Sequence, residues 1–418
     1  MSGGGRTFAS VRKHRNYRLY FGGQAVSFTG SWVQQIAASW LVLQLTHSPV
    51  AVGALALMQL LPVTVLGLFV GSLIDRYEVR RIALVCEGFQ VVVAGVLAVL
   101  ALTHVVQVWH IYVLAICQGI LQAVSGPARH ALVFQMVGPE DLANAVGLNS
   151  SLGTLARILG PAIGGLIIAI AGVGVAFAVN AVSFLAELLA LLAIDTSKLH
   201  LPIRDHGATI LGGALDALRY VIRSPRAGVA FFGVLVLSTF CFNFNVLLPL
   251  VADRTLNAGA QTFGLIAAVF GAGALLGATL NARRSRASLR VLLIGAFGYG
   301  VCELLLAPQG TLVAVCVLLF AVGVCYTQWG TTALASMQLE APDHLRGRAA
   351  SLYFFAFLGG APLGGLFAGW LVSVGGTELA FAVAGSIAIL TALAGWARLA
   401  TAQRSDGIDR AGNVVVSD

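Results

Sequence analysis

Apolar runs of roughly 18 to 25 residues recur twelve times along the chain, starting near Leu19, Val50, Ile82, Trp109, Ala143, Val175, Ala227, Thr262, Val291, Thr311, Ala349 and Leu379. Each run is long enough for one helix across a hydrocarbon core, where a helix satisfies all its own backbone hydrogen bonds. Short polar gaps separate the runs, except for one long gap at 195–226 that divides them six and six. The pattern predicts an all-α membrane protein of twelve transmembrane helices in two pseudo-symmetric six-helix bundles.

The boundaries read from the pattern are an arm at 1–18, a first bundle at 19–194, a linker at 195–226, a second bundle at 227–400 and a tail at 401–418. Within the linker, Leu211, Leu215, Leu218 and Ile222 recur at helical spacing with Asp216, Arg219 and Arg223 among them, which predicts an interfacial amphipathic helix. The halves echo each other. Gly71 to Arg81 (GSLIDRYEVRR) has a weaker counterpart in Gly277 to Arg290 (GATLNARRSRASLR), and Pro139, Asp141 and Leu142 are echoed by Pro342, His344 and Leu345. Parallel repeats of this kind belong to transporter designs, with substrate bound where the repeats meet.

Composition supports lipid as the solvent. The 418 residues are 58% hydrophobic and 10% charged, with mean hydropathy +0.89, far too apolar for a soluble globule. Of the 25 Lys and Arg residues all but Arg157 and Arg254 fall in the termini or in every second gap, Arg129 being assigned to the fourth-to-fifth gap. The positive-inside bias places both termini in the cytoplasm. The net charge of +8 is dispersed over these segments, so membrane lipid headgroups suit it as partner and nucleic acid does not. The six cysteines lie inside apolar runs without CxxC or Cys/His spacing and read as small core residues, not as disulfides or metal ligands; no cofactor is implied. No short apolar core followed by a small-residue cleavage site precedes Leu19, so the first run is expected to stay as a helix.

Gly71, Asp75, Arg76, Arg80 and Arg81 close the second run. Glycine allows two helices to approach, and Asp75 can accept charge-assisted hydrogen bonds across the loop, forming a conformational latch; the alternative is that these are topogenic charges only. This loop resembles the best-known motif of the major facilitator superfamily, with Glu78 in place of its usual second glycine. Arg15-Asn16-Tyr17-Arg18, Gly30-Ser31-Trp32-Val33-Gln34, Leu45-Thr46-His47-Ser48-Pro49, Pro127-Ala128-Arg129 and Glu140-Asp141-Leu142-Ala143-Asn144-Ala145 are similar to the branch resembling the enterobactin exporter and related bacterial drug-efflux proteins. The resemblance spans nearly the whole chain and implies a transporter of the bacterial inner membrane.

The fifth run carries Gly147, Ala156, Gly160, Pro161, Gly164 and Gly165, which resembles the helix motif of proton-coupled antiporters in the superfamily, with Ala156 where glycine is usual. The alternative is ordinary small-residue packing. Arg157 lies within the same run; a charge at the bilayer centre costs about 2.5–3.5 kcal/mol on insertion scales, so it should face a wet cavity or a partner. Glu87, Glu187 and Glu303 are candidates for proton coupling. The resemblance places their spans on the periphery, which leaves snorkelling or structural pairing open, for Glu87 with Arg80 or Arg81. The chain departs from the family pattern at Ala115, where an arginine is usual, and at Ser31, where some relatives carry aspartate.

The resemblance also assigns the cavity lining to spans one, four, seven and ten, and Arg157 of span five faces it: Gln34, Gln35, Gln118, Gln122, Arg157, Asn243, Asn245, Tyr326, Gln328 and Trp329. Amides and aromatics suit a bulky, partly apolar, neutral or anionic solute, although many such amides instead bond between helices. The leading expectation is secondary active export of amphipathic small molecules, of drug or siderophore type, by alternating access with proton antiport, one chain sufficing. Lipid or lysolipid flipping is the alternative. The chain lacks HExxH, GxSxG and GxGD motifs and a phosphate-binding GxxxxGK[ST] loop, so neither an enzyme nor an ATP-driven pump is expected.

Overall fold

A computed structural model describes residues 8–67, 70, 77–200, 218–222, 224–283, 288–342 and 346–414. Gly71, Asp75 and Arg76 of the loop motif, and Leu211, Leu215, Asp216 and Arg223 of the linker, lie outside the described residues. The described chain is helical, with no strand: α1 (Ala9–Lys13), α2 (Arg15–Thr46), α3 (Pro49–Leu66), α4 (Val79–Leu102), α5 (Val108–Ala171), α6 (Val173–Leu192), α7 (Pro225–Val236), α8 (Phe244–Leu250), α9 (Ala260–Ala282), α10 (Leu289–Leu306), α11 (Leu312–Glu340), α12 (Arg346–Gly359) and α13 (Ala361–Val414). Among the described residues nine helices are long and apolar enough to cross a membrane. Two of them are broken: α5 at Gly138 (φ +72°) and α13 at Gly375 and Gly376. A positive φ strains any residue with a Cβ, which is why glycine stands at 138 and 376.

Local sequence sets the ends. Ser48 and Ser224 each accept a hydrogen bond from the third residue on and are followed by proline, which is preorganised for a first helical turn and lacks the N–H that would go unpaired there. His47 ends α2 in the left-handed conformation. At about 1.5 Å per residue, the 32 residues of α2 exceed a bilayer's thickness, yet α2 is not among the nine apolar helices. Its buried Gln24, Ser27, Gln34 and Ser39 account for the difference, because they face protein and not lipid.

The chain divides into two compact units, Met1–His206 with Phe244–Gly271 and Gly207–Asn243 with Ala272–Asp418. In the first unit α2 runs against α6, and α4 packs on both α6 and α5. A cluster of Tyr17, Tyr20, Ile82, Cys86, Leu132, Met136 and Leu191 fills one end. Arg254, the odd-gap arginine, donates to the His47 carbonyl at 2.8 Å. Both glycine and aromatic contacts join Phe244–Gly271 to this unit: a Cβ on Gly264 would lie 2.7 Å from Pro161 O, and Trp40 stacks on Phe263 with ring centroids 6.2 Å apart. The second unit is built around Trp329, Tyr299 and Phe381, all within 2% of full burial.

The structure corrects one assignment made from the gaps. Arg129 is not a loop charge: α5 continues through Pro127 as far as Gly138, so Arg129 is inside a helix and only 9% exposed. Gly126-Pro127 reads as a break in sequence, but a bundle tolerates proline within a helix when neighbours satisfy the freed carbonyl.

Candidate functional site

Arg129 is held between two of the three coupling candidates. Its guanidinium bonds the Glu87 carboxylate of α4 and pairs with Glu187 of α6, Nε standing 3.3 Å from Oε1. Both acids are 0% exposed, so they do not snorkel, and Glu87 does not use Arg80 or Arg81. Arg80 instead donates from Nε and Nη2 to the Leu191 and Leu192 carbonyls at 3.2 Å each, at the C-terminal end of α6 where a cation also meets the negative end of the helix dipole. Arg81 pairs with Glu78 at 2.7 Å. Gln90 donates to Glu87 Oε1 at 3.3 Å, and Gln24 donates to the Tyr20 hydroxyl at 2.9 Å beside the cluster. Two carboxylates share one guanidinium, so the cluster is neutral when one carboxyl carries a proton and bears −1 when neither does.

Glu303, the third candidate, is separate. It lies in the second unit on α10, fully buried beside Tyr299. The Tyr299 hydroxyl one turn before it donates to the Cys241 carbonyl at 3.1 Å.

A cavity of about 480 Å³ in the first unit adjoins the cluster. Six of the ten sequence-derived lining residues meet there: Gln34, Gln35, Gln118, Gln122, Arg157 and Asn245. Arg129 is part of the same wall, so one guanidinium touches both the acids and the cavity. The amides are tied across helices. Gln34 bonds Gln118 and accepts from Asn180 Nδ2 at 2.6 Å, while Gln35 donates to Gln59 at 2.9 Å. Phe28 and Trp32, one turn apart on α2, lie beneath Arg129 and Arg157, with guanidinium carbons 5.7 and 5.5 Å from the ring centroids. Cation–π contacts of this kind are worth about 0.5–2 kcal/mol, more where water is excluded. Among the described residues the lining holds two guanidinium groups, four glutamines from the sequence-derived set and no carboxylate.

The other four residues belong to the second unit. Asn243 donates to the Thr239 carbonyl at 2.9 Å, and Gln328 to that of Gly277 at 3.1 Å. Tyr326 stacks on Phe242 with centroids 4.3 Å apart, and Trp329 is 0% exposed against Tyr299 and Tyr326. Trp329 is therefore core and not lining.

The small residues of α5 divide by face. Gly160 abuts Trp32 and Gly164 abuts Val33 of α2, whereas a Cβ on Gly165 would stand 2.7 Å from Ala260 O and Gly264 Cα of α9. Ala156 is 2% exposed and Pro161 is buried, but around Gly147 nothing lies within 4 Å of an added Cβ, so packing does not require glycine there. Sequence reasoning missed Arg129, Gln59 and Gln24. The signal for Arg129 was present: it sits seven residues after Gln122, on the same helix face at i, i+7.

Comparison with known proteins agrees with the architecture. The family model for transmembrane secretion effectors matches residues 6–411. The multidrug efflux pump Tap of Mycolicibacterium fortuitum is 28% identical over 84% of this chain and 88% of its own, and the enterobactin exporter EntS of Escherichia coli is 27% identical over 86% of each. The crystal structure of the nucleoside transporter NupG superposes with a TM-score of 0.73 at 14% identity, over 92% of this chain and 99% of that one, which shows a shared fold. This is a multi-pass membrane protein, a transporter and not an enzyme: the chain belongs to the transmembrane secretion effector family of the major facilitator superfamily.

Proposed function

We propose that this transporter exports amphipathic small molecules of the drug or siderophore type across the bacterial inner membrane by alternating access, with protons as the coupling ion and both termini in the cytoplasm. The observation that carries the reading is Arg129, which pairs with Glu87 and Glu187 and also forms cavity wall. Binding or loss of one proton changes the cluster between 0 and −1, and the change is felt at a cavity surface through the shared guanidinium. Tap and EntS, whose names record drug efflux and siderophore export, support the substrate class.

Further residues take roles in the same cycle. Gln34, Gln35, Gln118, Gln122 and Asn245 contact the solute, and Arg157 over Trp32 orients its anionic or polar end. The close crossing of Gly165 on Gly264 lets α5 and α9 meet at backbone distance. Arg80, bound to the end of α6, and Arg81 belong to the latch with Gly71, Asp75 and Arg76. A monomer suffices, embedded among membrane lipids, with a twelve-helix topology.

The test is accumulation of lipophilic dyes, drugs and siderophores in inverted membrane vesicles. Uncoupler-sensitive accumulation lost in both Glu87→Gln and Glu187→Gln is expected. Accumulation that survives collapse of the proton gradient sinks the coupling, and absence of transport for every panel member sinks the substrate class. A second reading, lipid or lysolipid flipping, is favoured by an apolar groove of about 600 Å³ on the first unit, where Val26, Ile163, Val179 and Val182 are exposed. Transport of labelled lysolipid extracted from the membrane, and of no water-phase solute, distinguishes it.

A further inference from the structure

Three amides form one hydrogen-bonded relay across the first unit. The Ser183 hydroxyl stands 2.9 Å from Asn180 Oδ1, Asn180 donates from Nδ2 to Gln34 Oε1 at 2.6 Å, and Gln34 donates from Nε2 to Gln118 Oε1. The relay runs from α6 through α2 to α5 and ends at the cavity. Asn180 is 0% exposed, and Gln34 is buried. Gly30 makes room for the deep end: a Cβ there would lie 2.6 Å from Asn180 Oδ1.

An amide oxygen only accepts and an amide nitrogen only donates, so each member of the relay accepts on one side and donates on the other. Reversing any one of them alone would set two oxygens or two nitrogens against each other, at the cost of a buried hydrogen bond. The direction set at the deep end is therefore passed to the far end. With the Ser183 hydroxyl donating to Asn180, the oxygens of Asn180, Gln34 and Gln118 are all engaged, and what Gln118 has left for the cavity is its amide nitrogen. None of the described residues accepts from that nitrogen.

Arg129 and Arg157 of the same lining can donate and never accept, and among the described residues that lining holds no carboxylate to receive a cation. A site with oriented donors rejects a solute that leaves them unmet, because the donor is then stripped of water without gaining a partner. We propose that Gln118 is a specificity-determining donor of this cavity, oriented through Gln34 by Asn180 as a positioning residue. The solute it takes presents carbonyl, carboxylate or phenolate oxygens and not ammonium groups. This narrows the proposed function and rests on its reading of the cavity as the solute site.

The experiment is equilibrium binding to the purified full-length chain in lipid nanodiscs, with empty nanodiscs as the blank. The probes share one skeleton: a naphthalene dicarboxylate, its neutral tertiary diamide, which accepts hydrogen bonds and has none to give, and the corresponding bis(aminomethyl) dication. The dicarboxylate and the diamide should bind at least about tenfold more tightly than the dication. Asn180→Leu removes the group that orients the relay, so affinity for the diamide should fall about tenfold while that for the dication holds or rises. A merely structural role would lower both alike, and that result overturns the assignment. Gln118→Met, at the half-buried wall, deletes the donor without touching the deep end; it should give the same split and decides the matter where Asn180→Leu does not fold. A native preference for the dication is what the reversed relay would give, with Ser183 donating to the Asn180 carbonyl 2.8 Å away, and it overturns the proposal, as does equal binding of diamide and dication. Uncoupler-sensitive export that takes cations and acceptor-rich solutes alike refutes this specificity and leaves the export reading standing; the expected binding preference in a chain that exports nothing does the reverse.

Discussion

Removing Arg129 should damage the protein more than removing either of its acids. Arg129→Met keeps an unbranched stem, though a shorter one, and deletes the charge, leaving Glu87 and Glu187, both 0% exposed, with no counter-ion. Breaking a buried ion pair from one side costs about 3–5 kcal/mol, because the partner remains desolvated and unpaired. Glu87→Gln removes one carboxylate from a cluster that has one to spare: a single Glu187–Arg129 pair remains and is neutral, so the cost should stay near 1 kcal/mol, the worth of an ordinary buried hydrogen bond. The triple variant Glu87→Gln, Glu187→Gln, Arg129→Met removes every charge and should recover most of the loss in Arg129→Met, since an uncharged cluster of similar volume is often neutral in stability relative to the ionic one. Unfolding free energies of the four proteins in matched detergent, read as a mutant cycle, test this. Equal losses in Arg129→Met and Glu87→Gln, or no recovery in the triple variant, would refute the assignment of Arg129 as the shared counter-ion.

Three further outcomes follow from the site and its surroundings. Gly165→Leu should abolish folding or transport, because its Cβ already would stand 2.7 Å from Ala260 O, whereas Gly147→Ala, with open space around it, should stabilise α5 by up to ~1 kcal/mol; surface expression and vesicle transport read both. Arg157→Ala removes the cation over Trp32 and should weaken accumulation of anionic panel members by about tenfold, the equivalent of ~1.4 kcal/mol, with little change for neutral ones; equal losses for both would contradict the assigned role. Lys13 bonds Asp141 at 2.8 Å, and this hydrogen bond holds its ammonium above the ordinary value of 10.5. The clamp of α1 on the Asp141 turn is therefore complete below pH 10.5 and is lost as pH rises through the elevated value, and the protection of α1 amides, corrected for intrinsic base-catalysed exchange, should fall over that range in the native chain but stay flat in Asp141→Asn.

The apolar runs made the helices legible because lipid leaves the backbone no other way to satisfy its hydrogen bonds. The cavity was legible in part. Gln34, Gln35, Gln118 and Gln122 are amides inside apolar runs, a placement costly enough to require a polar destination, and the structure puts all four in one wall. The same rule misled at Asn243 and Gln328, whose destinations are nearby backbone carbonyls, and at Trp329, an aromatic that packs as readily in a core as on a ligand. Glu87, Glu187 and Arg129 are 42 to 100 positions apart in sequence, and no local pattern records that α4, α5 and α6 bring them within hydrogen-bond reach. Arg129 was hidden for a further reason: Gly126-Pro127 imitates a loop, and an arginine beside a loop looks topogenic.

The two interior arginines are linked through α2 rather than to each other. Phe28 and Trp32 are separated by one helical turn and present their rings to Arg129 and Arg157 at nearly equal distance, and on the same helix Tyr20, Gln24 and Ser27 adjoin the ion cluster while Gln34 and Gln35 hold the cavity amides. A helix that carries all of these on one rigid axis cannot turn or slide to follow a change in the cluster without shifting both guanidinium groups and the amide lining in the same step. Under the proposed proton coupling, that gives a physical route from one proton to the surface a solute meets. It also explains why α2 carries so much polarity for a membrane helix. Gln24, Ser27, Gln34 and Ser39 are buried against protein, and the helix is kept in the bilayer by its neighbours more than by its own hydropathy.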